Sequence, residues 1–561
     1  MSDLRQVLQH RLFPLFLLPI VIGGVGLAIN YADGFLGFRN YVQGRTIPDV
    51  LVKSGRTGKE LRLIEYRSLA DFELEGFDRD LAPKDMPSSK NLKAIALQTG
   101  LPTLSIVIDP DDLLNRNTGL IANYSKRGRS WERPAYASYF ENGELRFATG
   151  AGLRVHGGKS RAALLKSFRL YFRELYGSSQ IPSGVLFEGE GDPIRSIVVH
   201  NDVRNKRSDK ASAEWHFMNP LAYDLAREIG CITPSTQPVQ FYLNGVYQGP
   251  YVLTEHISAD YLKAHFGHDD FVFARMKRDR LKGSPLVERG NRQLFDDFQN
   301  WLNTMSAPLK MSEVEEKIDL INMTNWMISI LYAGVTDPYQ GAALLDETDP
   351  NARWFWVNWD MDHAFMDFYD QVALPWEIDN FNGRSGVLKK KKPRAIIFDR
   401  LRRESPEYRI FFLTRITEVL NHILTPEKVG QKVARYEDIA ISYGISDRAF
   451  LEAIKEYVKE RPAVLRRQQN TYFDAGDSYR LSIRSRTPID IRVDGYEVGD
   501  EYVGWYFADT PARIEIPESD RQLSGAWVVN GDEILMSEPN IELNLSSDTH
   551  VEIMPSFPLK H

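Results

Sequence analysis

A chain of 561 residues exceeds the roughly 250–300 at which a single core stops growing, so more than one domain is expected. With 43% hydrophobic residues it has the composition of a folded protein. Its 69 Lys+Arg against 76 Asp+Glu give a net charge of -7, which excludes a general nucleic-acid binder. The lone cysteine, Cys231, excludes an intramolecular disulfide and any multi-cysteine metal site.

Residues 12–29 read LFPLFLLPIVIGGVGLAI, 18 residues without a charge. That is near the lower limit for one membrane span. Arg5 and Arg11 precede it and favour a cytoplasmic N-terminus. The segment reads as an uncleaved signal anchor, with a cleaved signal peptide as the competing reading. Either places the remaining chain outside the cytoplasm. Residues 319–334 are apolar but carry Asp319, Asn322 and Asn325, and read as a buried helix of a water-soluble domain. Residues 40–95 are mixed and charged, in the manner of a linker or stalk.

From residue 101 the pattern becomes strand-like. Strands are predicted at 103–109, 136–139, 145–149, 153–156 and 167–172, with a hairpin turn at Asn142-Gly143. A helix is predicted over 210–229, stopped by Gly230. A second hairpin, 239–243 with 251–253, turns at Asn244-Gly245. The second half reads as helical, at 291–304, 313–334, 395–404, 407–423, 426–441 and 447–469, with a strand pair at 343–345 and 354–357. Short strands at regular spacing fill 481–554, as in a small all-β sandwich.

Several motifs fail as nucleotide or hydrolase signatures. Gly157-Gly158-Lys159-Ser160 lacks the first glycine of a phosphate-binding loop, since position 153 is Leu. The basic run 389–392 suits a solvated loop.

The sharpest chemical signal is Trp359-Asp360-Met361-Asp362-His363-Ala364-Phe365, directly after an aromatic strand. Two carboxylates at i and i+2 can reach one divalent cation, and their oxygens suit magnesium. Upstream, Asp337 follows the end of a long helix. A carboxylate on a loop, then a hairpin, then an acidic metal site is the order used in kinase-type phosphoryl transfer. The same residues also suit a structural role, Asp337 capping a turn and Asp360 and Asp362 pairing with arginines.

Five blocks together resemble the spore-coat-H-like (CotH) kinases, an atypical secreted branch of the protein-kinase-like fold. They are Trp131-Glu132-Arg133-Pro134-Ala135, then 153–161 (LRVHGGKSR), 166–173 (KSFRLYFR), 242–255 (YLNGVYQGPYVLTE) and the aspartate pair. The likeness spans about 101–469. It implies that Lys166 contacts nucleotide phosphates, beside Gly157, Gly158 and Arg161, with Glu255 near a hinge. It implies that Asp337 is the catalytic aspartate and that Asp360 and Asp362 hold metal. Glu214 is a candidate partner for Lys166. One departure stands out: the family's asparagine, five residues after the catalytic aspartate, is Ala342 here, and Gln340 is the possible substitute ligand.

The expectation is thus an α+β chain. It comprises a cytoplasmic tail and transmembrane anchor (1–39), a linker (40–97), a two-lobed kinase-like domain (98–475) with a β-rich N-lobe and helical C-lobe, and a C-terminal β-sandwich module (478–561). The resemblance implies transfer of the ATP γ-phosphate to a protein Ser/Thr hydroxyl with Mg2+ or Mn2+, in the periplasm or at the cell surface. Two alternatives remain: an inactive kinase-fold scaffold of a cell-envelope or surface-polysaccharide assembly, and a phosphotransferase that modifies a glycan. Partners are then a protein or envelope-polymer substrate and the membrane, without nucleic acid.

Overall fold

The computed structural model describes residues 99–163, 165–187, 193–202, 204–205, 214–278, 285–335, 341–365, 393–445, 448–486, 488–508, 510–535 and 540–555, plus a short strand pair at 66–67 and 86–87. The segment 12–29 expected to be an anchor, Asp337, Gln340 and the run 389–392 lie outside the described residues. Among the described residues no helix is long and apolar enough to cross a membrane. The structure is a mixed α/β protein with several sheets. It divides into two compact units, one built from 1–203, 235–269 and 438–448, the other from 204–234, 270–437 and 449–561.

The first unit is a closed barrel of β1 (Thr103–Ile108), β2 (Arg133–Glu141), β3 (Glu144–Val155), β4 (Phe168–Tyr171), β5 (Ser196–His200), β6 (Thr236–Leu243) and β7 (Val246–Glu255). Neighbours are antiparallel, except that β1 pairs parallel with β6 and closes the ring. Period-two alternation sets the inside: Leu153, Val155, Phe168, Leu170, Val199, Phe241 and Leu253 fill the core. The partners between them, such as Arg154, Arg169 and Tyr171, sit on the opposite faces. Both hairpins turn on Asn-Gly with positive φ at each residue, Asn142 and Gly143, then Asn244 and Gly245. Asn244 does more than turn. Its buried amide accepts from Ile108 N (2.7 Å) and donates to Ile108 O (3.0 Å), fastening the end of β1.

In the second unit, α1 (Met218–Glu228) is shorter than the sequence predicted, because Glu214–Trp215 pairs as a short strand with Arg204–Asn205. The first unit's α2 (Ala259–Phe266) follows β7. The second half is less purely helical than expected. β8 (Phe271–Arg278) and β9 (Pro285–Arg289), neither anticipated, join β10 (Ala342–Asp346) and β11 (Phe355–Val357) in a four-stranded sheet, order β9-β8-β10-β11. After α3 (Arg292–Thr304), the single helix expected at 313–334 is two, α4 (Met311–Glu315) and α5 (Leu320–Ala333). Between them Ile318 bridges Trp354, and the Asp319 carboxylate restarts the helix by accepting from Asn322 N at 2.9 Å. Every α5 residue but Ile321 is buried, as an all-round apolar pattern requires.

The remaining helices are α6 (Pro393–Glu404), α7 (Pro406–Glu418) with a π turn at Val419–Ile423, α8 (Pro426–Ser442) and α9 (Ala449–Phe473). The C-terminal strands form two sheets, of five and four strands, around one core that includes Leu481, Ile483, Ile514, Trp527 and Val551. The π turn meets this module: buried His422 stacks on Tyr496 (4.7 Å) and Tyr502 (5.4 Å), and its Nε2 is 3.4 Å from the Asp494 carboxylate.

Candidate active site

In the first unit, β3 runs into the glycine loop. Gly157 has φ +108°, and a Cβ there would sit 2.4 Å from Ser160 Oγ, so the position requires glycine. Gly158 has an ordinary φ of -92° and open space around it. The Arg161 guanidinium donates to Gly157 O (2.8 Å) and to Tyr124 O and Lys126 O (both 2.9 Å). Arg161 therefore fixes the loop's shape.

Lys166 precedes β4. It is only 5% exposed, and its Nζ donates to Ala163 O and lies 4.5 Å from the centre of the Tyr124 ring. It forms no ion pair among the described residues. Burial of the amine lowers its pKa to about 8. Glu255, the last residue of β7, accepts from Ser235 N at 2.8 Å and sits 3.2 Å from His265 Nε2. Burial alone would push it up. The hydrogen bond and charge of His265, with the Ser235 amide, outweigh that and hold it below the usual carboxylate value.

Three of the blocks noted in the sequence meet at Glu132. Its carboxylate accepts from Arg154 Nε at 2.8 Å, again from Arg154 Nη2, and from Arg173 Nε at 2.9 Å. Gly152 makes room, since a Cβ there would lie 2.5 Å from that carboxylate. Arg154 stands directly opposite Arg169 across β3 and β4, an unfavourable like-charge pair taken alone. Tyr171 lies under both guanidiniums, at 4.1 and 4.5 Å, and 5.2 Å from that of Arg173. Sequence reasoning missed Glu132, although its place in the first block was a signal.

In the second unit the chemistry gathers at the C-terminal end of α5. Four carbonyls there lack intrahelical partners by geometry, and each is met. Ile330 O accepts from Val335 N at 3.1 Å. Leu331 O accepts from Arg461 Nη2. Tyr332 O accepts from Tyr457 Oη at 2.5 Å and from Arg461 Nε at 3.2 Å. Ala333 O accepts from Phe365 N at 2.8 Å. Gly334, at φ +61°, lets the chain leave the helix toward Asp337. The segment leading to Asp337 and the turn carrying Asp360 and Asp362 are therefore held by one helix end.

Asp360 is half-buried with φ +61°, a conformation unusual outside glycine, and its N–H donates to the buried Tyr223 Oη at 2.8 Å. Asp362 is 7% exposed, with His363 Nε2 at 4.0 Å. Two residues before Asp360, Asn358 is buried. Its Nδ2 donates to Ser329 Oγ at 3.2 Å, while its Oδ1 is buried with no hydrogen-bond partner among the described residues. Two carboxylates and a spare amide oxygen form a hard-oxygen donor set that fits a divalent cation. Among the described residues no group of three His, Cys, Asp or Glu side chains could hold a metal ion. Asn358 was missed from sequence. Ala342, where the resemblance implies asparagine, is fully buried as the first residue of β10, paired with Arg275 and Val357. The Glu214 side chain lies outside the described residues. Lys166 belongs to the first unit, Asp360 and Asp362 to the second.

No curated protein matches the chain. Among solved structures it is similar to the Helicobacter pylori proinflammatory kinase CtkA, at 10% identity over 55% of this chain and 94% of that one, with a TM-score of 0.26. So low a score carries no structural argument. The profile of the family described as CotH kinase protein matches residues 153–465, which include Gly157, Lys166, Glu255 and the aspartate pair. With more than half its length matched, and its glycine loop, buried lysine and acidic turn inside the match, this chain belongs to the CotH kinase family.

Proposed function

We propose that the chain is an active kinase that transfers the γ-phosphate of ATP to a Ser or Thr hydroxyl of a protein, at the outer face of the membrane to which residues 12–29 anchor it. Asp337 orients the acceptor hydroxyl. The hydroxyl oxygen attacks the γ-phosphorus and its proton passes to the Asp337 carboxylate, while the bond from the γ-phosphorus to the β–γ bridging oxygen breaks and ADP leaves. Lys166, with Gly157 and Gly158, receives the phosphates. An amine with a pKa of about 8 is mostly protonated at neutral pH, and a phosphate beside it favours the charged form further. Asp360 and Asp362, with Gln340 or Asn358, hold Mg2+ or Mn2+, which neutralises phosphate charge. Arg161 shapes the loop and Glu255 anchors the end of β7.

The observation that carries this reading is the shared helix end. The chain toward Asp337 and the turn of Asp360 and Asp362 both leave it through hydrogen bonds at Ile330 O and Ala333 O. A common rigid origin for Val335 and Phe365 supports the reading, since an acceptor-orienting carboxylate and a metal site both need fixed placement. Thermal unfolding with ATP and Mg2+ tests it. Ligand at 100 times its dissociation constant stabilises by about 2.7 kcal/mol. Asp337→Ala should keep that shift and lose transfer. A chain without any nucleotide-dependent shift is not a kinase. Ala342 favours a second reading: its buried methyl supplies no ligand, as expected of a kinase-fold scaffold in a cell-envelope assembly, which would show no shift.

A further inference from the structure

A cavity of about 840 Å³ opens in the second unit between α3, the α4–α5 junction and the turn of the β10–β11 hairpin. Its floor is aromatic. Phe298 stacks on Trp354 with centroids 5.0 Å apart and on Trp301 at 5.8 Å. Phe298 and Trp354 are each 4% exposed, so Trp301 is the ring with a face left for a ligand. The walls are acidic. Asp297, Glu316, Asp346, Glu347 and Asp349 line them, against the two cations Lys317 and Arg353.

Several of these carboxylates are oriented by uncharged donors. Asp349 accepts from Asn351 N (2.8 Å), Glu347 from Asn291 N (2.9 Å), and Asp297 from Gln293 Nε2 (2.8 Å). Backbone and amide donors orient these groups without neutralising them. Asp297, Glu316, Glu347 and Asp349 form no ion pair among the described residues. The cavity sits at the turn end of the hairpin, whereas Asp360 follows its other end. The three-residue strand β11 lies between Trp354 of the cavity and Asp360, a separation of roughly 20 Å at full extension.

We infer that this cavity is a docking site for a lysine- or arginine-bearing segment of the acceptor protein, held away from the phosphorylated hydroxyl. A planar guanidinium can stack on the Trp301 face while its N–H groups reach the carboxylates of the walls. A neutral sugar would use the ring but leave the excess of negative charge unanswered. The inference rests on the protein-kinase reading in one respect, that the acceptor is a protein.

The test is fluorescence anisotropy with the full chain and three labelled probes: a 12-residue peptide of alternating Arg and Ser, its Glu-for-Arg counterpart, and a neutral β-linked hexasaccharide. The Arg peptide alone should bind, and its Kd should rise at least five-fold between 50 and 300 mM salt. Trp301→Ala should weaken it at least five-fold, and the double variant Glu316→Lys, Asp349→Lys at least ten-fold. Both changes are at sites open to solvent, and unchanged melting confirms folding. Absent binding, equal binding by the variants, or preference for the hexasaccharide overturns the inference. The thermal shift of the unmodified chain with ATP and Mg2+ is read in parallel. Peptide binding without that shift would remove the kinase reading and leave the docking site standing.

Discussion

Arg461 offers the most direct perturbation of the proposed site. It is 2% exposed on α9, and its guanidinium spans Leu331 O and Tyr332 O at the end of α5. Arg461→Met keeps most of the volume and removes both hydrogen bonds. A bond from a charged donor contributes about 1.5–3 kcal/mol, and losing two is partly offset because the guanidinium need no longer be desolvated. Tyr332 O keeps Tyr457 and Leu331 O keeps a long bond from Gly334 N (3.3 Å), so the variant weakens both acceptors without stripping either of every donor. The net loss is about 2–4 kcal/mol, felt first at the helix end. Hydrogen exchange with mass spectrometry reads this locally. The amides of Val335 and Phe365 both bond to that end, and peptides covering 331–335 and 360–365 should exchange about 30-fold faster or more. Arg461→Lys keeps the charge but cannot fork to two carbonyls, and should fall between. If Arg461→Met leaves both peptides within about three-fold of the unmodified chain, the guanidinium does not organise this junction, and the common origin of the two acidic segments loses its support.

Lys166 makes stability depend on pH. Its folded pKa, about 8, lies below the ordinary 10.5, so between those values the unfolded chain holds a proton the folded chain has released. Stability should therefore rise with pH across that window, and urea midpoints for Lys166→Met should lack the rise. At Asp360, φ +61° favours glycine. Asp360→Gly should be about 1 kcal/mol more stable than Asp360→Ala, while calorimetry finds Mg2+-dependent nucleotide binding lost in both. In the barrel, Glu132→Gln leaves Arg154 and Arg173 without their shared carboxylate. A loss of about 3–5 kcal/mol is expected in denaturant unfolding of the first unit.

Where the chemistry is local, the sequence carried it. Asn142-Gly143, Asn244-Gly245 and Asn530-Gly531 each show the positive φ pair that the dipeptide favours. The run 319–334 read as a buried helix because the apolar residues surround it. The strand β8 escaped because it pairs with β10, far along the chain, and β9 because it pairs with β8 and no Asn-Gly or Asp-Gly dipeptide marks the turn between them. The same holds at the site. The aspartate pair after a strand was visible. The group that holds the helix end bonded by Val335 and Phe365 was not, since Arg461 lies 129 residues from Tyr332.

The structure also separates the residues of the family blocks by cause. Glu132, Arg154 and Arg173 form one partly buried ion-pair network with Gly152 making room for it, so packing alone explains their types. Gly157 is set by its φ, and Arg161 by the three carbonyls it spans. Lys166 has no such explanation. A buried cation held by one carbonyl and one ring face, without an ion pair among the described residues, costs stability that a methionine there would not. One carbonyl and one ring face offset only part of that cost, and the proposed function adds what would offset the rest, an anionic ligand beside the ammonium. Lys166→Met should accordingly melt higher than the unmodified chain near neutral pH and lose the shift with ATP and Mg2+. A variant that melted lower there would make Lys166 one more packing residue of the barrel.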